Sequence, residues 1–416
     1  SVSTNGNWST NICSFQSTNA VSIQLRGGIE IITPGNKDVV IGNDAGFVGA
    51  GSAIDRVAIG SEAGRYGQNA YSIAMGFAAG RNGQALYTVA IGSEAGRTGQ
   101  NNNSIAIGPN AGQNGQEVNS VAIGPSAGRT GQNSQSVAIG QTAGRYGQGT
   151  SAVAIGNQAG QTGQNNNSVA IGPNAGQNGQ EVNAVAIGRN AGTTGQNSHS
   201  VAIGRTAGRD GQGTSAVAIG DQVGQYGQNT NSVAIGYNTG RNGQEQSAVA
   251  IGSQAGENGQ RTYAVAIGDN AGRDGQERYS VAMGYFAGGN GQGFSSVAVG
   301  YQAGQTGQGG YSVAIGTEAG QTGQPDNAVA IGNQAGQNGQ NTASIAMGEG
   351  AGQNGQGQNS TAIGHFAGND GQGESSVAIG YNAGRDGQNS QSVAIGYFAG
   401  ENGQRTYAVA IGDNAG

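Results

Sequence analysis

Few side chains in this sequence are of the types that carry out catalysis or hold a metal ion. The two histidines, His199 and His365, lie far apart and occupy different places in a repeated pattern. A zinc site needs several His or Cys ligands, and a serine nucleophile needs a histidine within reach. Cys13 is the single cysteine, so no disulfide forms within the chain. The sequence therefore predicts no enzyme, no metal site and no cofactor.

Two ligand-binding motifs are worth comparing with this glycine-rich chain. Phosphate-binding loops need GxGxxG or GxxxxGK followed by Ser or Thr, and neither spacing occurs in the repeat. Calcium-binding β-rolls need a regular acidic residue in a GGxGxD frame. Asp210, Asp274, Asp370 and Asp386 do share one column, but most coils have Asn, Thr or Tyr there. We interpret the glycines as turns and keep calcium binding as a minor alternative.

A strict 16-residue repeat positions all of these residues. Of 416 residues 85 are Gly, and the last residue of a VAIG tetrapeptide recurs 23 times at that spacing, from Gly60 to Gly412. An internal period of this kind is typical of solenoids. A looser coil precedes it, because Gly42 lies 18 residues before Gly60. We expect an all-β parallel solenoid of about 24 coils over residues 39–416, continuing past the C-terminus, after a cap or attachment segment at residues 1–38.

Within a coil, the VAIG residues and the residue before them read as a short strand. Alternation along a strand puts Val57 and Ile59 on one face and Ala58 on the other. We expect Val and Ile to fill a narrow interior. The Ala column is then expected to form a surface in close contact with another backbone.

The rest of the coil predicts corners. Gly60, Gly64 and Gly67 stand where the chain needs positive φ or close backbone contact. The NG and DG dipeptides, such as Asn82–Gly83, are strong turn signals. A Gln follows the third glycine in 22 coils, starting at Gln68. We expect stacked Gln amides to form a hydrogen-bonded ladder from coil to coil.

Charge and hydropathy restrict the partners. With 17 basic and 23 acidic residues the formal net charge is −6, which does not favour nucleic acid. No stretch approaches the roughly 18 apolar residues of a membrane span, so this segment is expected not to insert into a membrane. Because the core is thin, self-association is expected, most simply as a trimer, with a filament as the alternative.

Two sets of surface residues are candidates for binding a glycan or matrix ligand. The first is a basic ridge, with Arg65, Arg81 and Arg97 as the candidate residues. Alternatively, these arginines form a solvated face that binds no ligand. The second consists of aromatic columns. Tyr263 and Tyr279 come just before the strand, and Tyr285 and Tyr301 come just after the VAIG glycine. Such columns indicate either simple stacking between coils or a sugar-binding surface.

The tandem motifs NSVAIG, QSVAIG and SAVAIG resemble the head repeats of YadA-like trimeric autotransporter adhesins, the Hep_Hag type, from Val39 to Gly416. The resemblance implies a left-handed parallel β-roll, a side-by-side homotrimer and a head that binds host surface or matrix components. The coil here is slightly longer and contains an added AGxxGQ half. Related repeats also occur in fibres of viruses and phages.

The function expected from these observations is that of a structural or adhesive fibre, extracellular or on a cell or virion surface. It would be a rigid rod that attaches to a surface, host or matrix. The alternative is a self-assembling filament or virion fibre subunit with only a scaffold role.

Overall fold

The first three residues of the VAIG tetrapeptide, or of its variants, form a β-strand in every coil of the computed structural model, which describes residues 38–46 and 55–416. These strands make one 24-stranded sheet, here called the first wall. The first-wall strands are Val39–Ile41, Val57–Ile59, Ile73–Met75, Val89–Ile91, Ile105–Ile107, Val121–Ile123, Val137–Ile139, Val153–Ile155, Val169–Ile171, Val185–Ile187, Val201–Ile203, Val217–Asp221, Val233–Tyr237, Val249–Ser253, Val265–Ile267, Val281–Met283, Val297–Val299, Val313–Ile315, Val329–Ile331, Ile345–Met347, Thr361–Ile363, Val377–Ile379, Val393–Ile395 and Val409–Ile411.

Each first-wall strand pairs in parallel with the equivalent strand of the next coil. Val121, for example, is in register with Val137, and Ala122 with Ala138. Strands in a sheet lie about 4.8 Å apart, so 24 coils make a rod roughly 110 Å long. The predicted all-β parallel solenoid with 16-residue coils is confirmed.

A second line of short strands forms the opposite side of each coil, here called the second wall. It was not predicted. An 11-stranded sheet and a 3-stranded sheet belong to it, and isolated parallel bridges such as Asn242 to Asn258 continue it. The second-wall strands are Tyr66–Gln68, Asn82–Gln84, Thr98–Gln100, Asn114–Gln116, Thr130–Gln132, Tyr146–Gln148, Thr162–Gln164, Asn178–Gln180, Thr194–Gln196, Asp210–Gln212, Tyr226–Gln228, Asp274–Gln276, Asn290–Gln292 and Thr306–Gln308.

The inward and outward faces of the first-wall strands are the reverse of the prediction. Ala58 is fully buried, as is the Ala of nearly every later coil, whereas Val57 and Ile59 are only half-buried. The expectation of Val and Ile inside and Ala outside was therefore wrong. The reason is the narrow space between the walls: a Cβ placed on Gly96 would lie 3.3 Å from the Ala90 Cβ. A Val side chain has no room there, so the larger residues face outward.

The interior is completed by the Gln column, which the prediction had placed at corners. In each of the 22 coils that carry it, the Gln Nε2 donates to the carbonyl of the first strand residue, at 2.6–2.9 Å, as in Gln68 to Val57 and Gln196 to Val185. In most coils it also donates to the Gln Oε1 of the next coil, as in Gln244 to Gln260 at 3.0 Å. The predicted amide ladder is confirmed, but it runs through the interior. Each Gln Nε2 is thus hydrogen-bonded inside the solenoid. The ladder is interrupted where no Gln of the preceding coil donates, at Oε1 of Gln68, Gln84, Gln116, Gln132 and Gln340.

Two of the three glycine columns are required by contacts inside the solenoid. Gly60 has φ +124°, and a Cβ there would lie 2.7 Å from the Gly76 carbonyl oxygen of the next coil. Gly96 has φ +52°, and its Cβ would lie 2.6 Å from Oε1 of the buried Gln100. The predicted corners at these glycines are confirmed.

The NG and DG dipeptides were predicted to be turns, but many of them lie in second-wall strands. Asn82–Gln84 is a second-wall strand in which Asn82 pairs with Thr98. Gly83 keeps a positive φ of +72° within that strand. The NG dipeptide thus predicts the positive φ of Gly83 correctly. The segment is nevertheless a strand, because it pairs with the equivalent segments of neighbouring coils.

One local departure shows how small the interior is. The buried Ala that follows the VAIG corner is replaced by Val223 and by Thr239 in two successive coils. The larger side chains change the corner, and the first-wall strands lengthen to Val217–Asp221, Val233–Tyr237 and Val249–Ser253. Thr239 also donates a hydrogen bond to the Gly252 carbonyl.

The first coil is joined to the second by an ion pair. The Arg56 guanidinium donates two hydrogen bonds to Asp38, at 3.1 and 2.5 Å. These bonds lower the pKa of the Asp38 carboxyl, although partial burial opposes them. The pair therefore stabilises the folded chain above the ordinary Asp pKa and loses this contribution as the pH falls through the lowered value. The predicted cap at residues 1–38 lies outside the described residues, apart from Asp38.

The buried Gln ladder can be tested in a coil near the middle of the rod. Gln244→Ala removes donations to Val233, Ala248 and Gln260 and leaves a cavity. We expect the free energy of local opening around this coil to fall by about 2–3 kcal/mol. Hydrogen exchange of the backbone amides, followed by mass spectrometry, measures it. The control Gln246→Ala changes an exposed Gln of the same coil and should have an effect below about 0.5 kcal/mol.

The orientation of the first wall can be tested with one pair of substitutions. Ala266→Val adds methyl groups facing Gly272. The space there is narrow, because a Cβ placed on Gly272 would lie 3.3 Å from the Ala266 Cβ. Overpacking of this kind costs about 1–3 kcal/mol. Trypsin cleavage after the nearby Arg273 should accelerate at least about 5-fold, since cleavage follows local opening. Val265→Ala, on the outward face, leaves the interior unchanged and should accelerate cleavage less than Ala266→Val does. The reverse order would mean that Val faces inward.

Candidate ligand-binding surfaces

The candidate Arg and Tyr residues lie on different parts of the rod. Arg65, Arg81 and Arg97 directly precede second-wall strands in three consecutive early coils. Tyr263 stands at the corner before the first wall, 166 residues and thus about 10 coils after Arg97. At about 4.8 Å a coil, this corresponds to roughly 50 Å along the rod. The solenoid therefore does not bring the two sets into one site.

The early arginines are held by carboxylates of their own chain. Glu62 lies between two of them, with Oε1 2.8 Å from Arg65 and Oε2 3.2 Å from Arg81. Arg65 also contacts Asp44 at 3.4 Å, and Arg97 contacts Glu94 at 3.4 Å. Glu62 and Glu94 come from the corner after the VAIG glycine, three residues before Arg65 and Arg97. The ridge is thus a line of alternating charge.

Ion pairs continue along the column, although the later arginines contact the next residue in the chain or a carboxylate of the next coil. Seven of the nine arginines at this place have a carboxylate within 4.0 Å, namely Arg65, Arg81, Arg97, Arg209, Arg241, Arg273 and Arg385. Of the other two, Arg129 donates to Gln113 and Arg145 lies 4.8 Å over the Tyr146 ring. An anionic ligand would have to compete with these partners.

The candidate tyrosines form stacks along the rod. The Tyr263 and Tyr279 rings are 5.3 Å apart with an interplanar angle of 13°, and Tyr285 and Tyr301 repeat this geometry. In each pair the facing ring surfaces cover one another. A sugar that packs on an aromatic ring needs an open ring face. These stacks therefore offer mainly ring edges and the outer faces of their end rings.

Aromatic side chains that were not candidates extend the stacks. Phe294 joins Tyr279 to Tyr311 through edge contacts at 5.6 and 5.4 Å. Farther along, Tyr381 stacks between His365, at 4.8 Å, and Tyr397, at 5.2 Å. Tyr311 and His365 share columns with the candidate tyrosines, which is visible once the 16-residue register is set. Phe294 lies one residue before its column, so it carries no such signal in the sequence.

A surface that sequence reasoning missed is the outer face of the first wall. The first and third residues of each strand, which are Val, Ile or Met in all but one case, point outward there and form two parallel columns, here called the apolar stripe. Its exposed members include Met75, Ile251, Met283, Ile315 and Met347, each more than a third exposed. The Tyr columns lie along its two edges, since Tyr263 stands two residues before a first-wall strand and Tyr285 two residues after one.

One carboxylate on the surface has a clearly shifted pKa. Glu245 lines a shallow depression of about 420 Å³ with Asn229, Thr230, Gln246 and Thr262. Its Oε2 accepts hydrogen bonds from the Thr262 hydroxyl at 2.7 Å and the Thr262 N–H at 3.0 Å. The hydroxyl bond is the main reason that the pKa is lowered, and burial opposes it. The Glu245 carboxylate thus links its own coil to the next one through Thr262.

No group of three or more His, Cys, Asp or Glu side chains suited to a metal ion occurs among residues 38–46 and 55–416. Within the same ranges, no helix is long and apolar enough to cross a membrane.

The coil geometry can be compared with known families. Residues 372–384 match the YadA head domain repeat, in two copies. The match begins at a buried Gln, contains the strand Val377–Ile379 and ends at the second glycine of the corner. The resemblance to YadA-like head repeats is thereby confirmed. No curated protein shows significant sequence similarity to the chain.

Glu62→Gln tests whether the early arginines can bind an anionic ligand. The substitution removes the carboxylate that Arg65 and Arg81 share, so the local potential becomes more positive. We expect binding to immobilised heparin to strengthen about 2- to 5-fold, with elution at higher salt. The control Glu349→Gln makes the same change in net charge away from the ridge and should leave elution unchanged. Equal shifts for both variants would assign binding to net charge alone.

Proposed function

We propose that this chain is the rod of a surface fibre, in which copies associate side by side through the apolar stripe, three to a fibre. The observation that carries the proposal is the stripe itself, present on every coil of a repeat similar to the YadA head domain repeat. The resemblance to YadA-like head repeats implies that three copies associate. Such a rod is extracellular and presents its ends and its remaining faces to a surface, host or matrix.

The size of the stripe supports association. Val and Ile two residues apart in a strand lie about 7 Å apart, so the stripe measures roughly 110 by 7 Å, or about 750 Å². Soluble monomers rarely expose a contiguous apolar patch of this size. It is also close to the roughly 800 Å² that each partner buries in an ordinary stable interface.

The occupant we propose is a second copy of the same chain. Each coil repeats the stripe with the same spacing, so two copies can match coil by coil along the whole rod. Because the stripe carries almost no polar side chains, its burial leaves few groups without hydrogen-bond partners.

The rod can serve as a spacer, an adhesive head or both. The interior is nearly invariant, whereas the outward residues of the second wall and of the corners vary from coil to coil. Such variation leaves room for a ligand surface, and the Arg and Tyr columns remain our candidates for it. The internal pairing of most ridge arginines favours the alternative function, a fibre or filament subunit with a scaffold role only.

The assembly is tested by the mass of the protein in solution. We expect light scattering after size-exclusion chromatography to give three times the chain mass. Val201→Asp with Val217→Asp puts charges on the stripe, and this variant should dissociate into single copies. Thr162→Asp with Thr194→Asp, on exposed positions of the second wall, should keep the mass of the unchanged protein. A wild-type mass of one chain would contradict the assembly.

The location and the adhesive role need separate measurements. Antibodies to the rod should label intact cells or particles that carry the protein. Labelled protein should bind immobilised matrix components or host cells if the rod is adhesive. Surface labelling without binding would assign it the scaffold role, and the absence of surface labelling would overturn the proposed fibre.

A further inference from the structure

The regularity of the apolar stripe creates a problem for the assembly proposed above. Since every coil presents nearly the same two residues, copies that slide by one coil regain almost all of their contacts. A slip of 16 residues loses only the contacts of the end coils. A repeat of this kind specifies register weakly. An irregular side chain on the stripe is needed to select one register.

One polar residue breaks the stripe. The first residue of the first-wall strand is Val or Ile in 23 of the 24 described strands, and it is Thr361 in the remaining one. Thr361 is in register with Ile345 on one side and Val377 on the other. Replacements in the other stripe column, such as Met75 and Val299, are all apolar.

Thr361 is held in place by its backbone. Its N–H donates to the Ser376 carbonyl at 2.9 Å, and its carbonyl accepts from the buried Gln372 at 2.8 Å. The neighbouring Ala362 is fully buried, so alternation directs the Thr361 side chain outward onto the stripe, where it is half-buried. The hydroxyl is thus presented on the face that we propose as the interface.

We propose that Thr361 sets the register between copies of the chain in the fibre, an inference that rests on the proposed side-by-side assembly. In register, the hydroxyls of neighbouring copies lie at the same height and hydrogen-bond to one another. After a slip of one coil, each hydroxyl is buried against Val or Ile and has no partner, which is costly. Single polar residues in coiled-coil interfaces select register for the same physical reason.

Disulfide formation between copies can measure the register. In a Cys13→Ser background, one chain carries Val377→Cys and a second chain carries either Ile379→Cys, in the same coil, or Ile395→Cys, one coil farther on. After mild oxidation of the mixed assemblies, mass spectrometry counts both linked products. Because disulfides need Cα atoms within about 7 Å, a shift of one coil changes which pair can link.

With Thr361 present, we expect same-coil links to exceed one-coil links at least 10-fold. Thr361→Val keeps the side-chain shape and restores the column to its common residue, so the chain should fold. In this variant one-coil links should rise at least 5-fold. Thr361→Ser keeps the hydroxyl and should retain the wild-type ratio.

The outcomes separate this inference from the proposed function. An unchanged ratio in Thr361→Val would overturn the role of Thr361 while leaving the assembly intact. A Thr361→Ser variant with the same ratio of links as Thr361→Val would also overturn the role of the hydroxyl. A solution mass of one chain together with no linked product of either kind would instead contradict the assembly itself.

Discussion

The narrow space between the two walls governs the rest of this structure. On one side it admits only an Ala methyl group, and on the other it is filled by a Gln amide. Ala90 and Gln100 show the arrangement, with Gly96 so close to both that any side chain there would overlap them. The Gln Nε2 bonds to backbone carbonyls, and in most coils to the next Gln, because a buried amide without a partner is costly. Short strands, glycine corners and the 16-residue period all follow from this cross-section.

The same constraint decides what the rod shows to its surroundings. An interior of Ala, Gln and Ser buries little apolar surface, and the larger Val and Ile side chains are left on the outside. Each coil gains stability from its ladder with both neighbours, as expected for a solenoid. The apolar stripe then offers a second source of burial when copies associate. In the assembly that we propose, folding and association thus use opposite faces of the same strand.

Charged and aromatic residues on the remaining surface mostly serve contacts between coils. Glu62 links Arg65 to Arg81, Glu245 links its coil to Thr262, and Tyr263 covers Tyr279. Like residues in successive coils lie about 5 Å apart, so a column of equal charges would repel itself. Acidic and amide side chains of the same coil and of neighbouring coils pair with the arginines and offset this repulsion. A ligand surface built on these columns has to use groups that already have partners within the chain.

The sequence by itself determined the solenoid, its period, the VAIG strand, the glycine corners and the Gln ladder, because each of these depends on a local pattern repeated without a gap. It did not reveal the second wall, since NGQ and TGQ become strands only when they pair with the neighbouring coils. Alternation in Val57, Ala58 and Ile59 showed that the strand has two faces, but not which one is inside. Only the tertiary structure decided that, because the answer depends on the distance between walls, which no single coil encodes. The ladder of equivalent residues likewise decided which charges and rings meet.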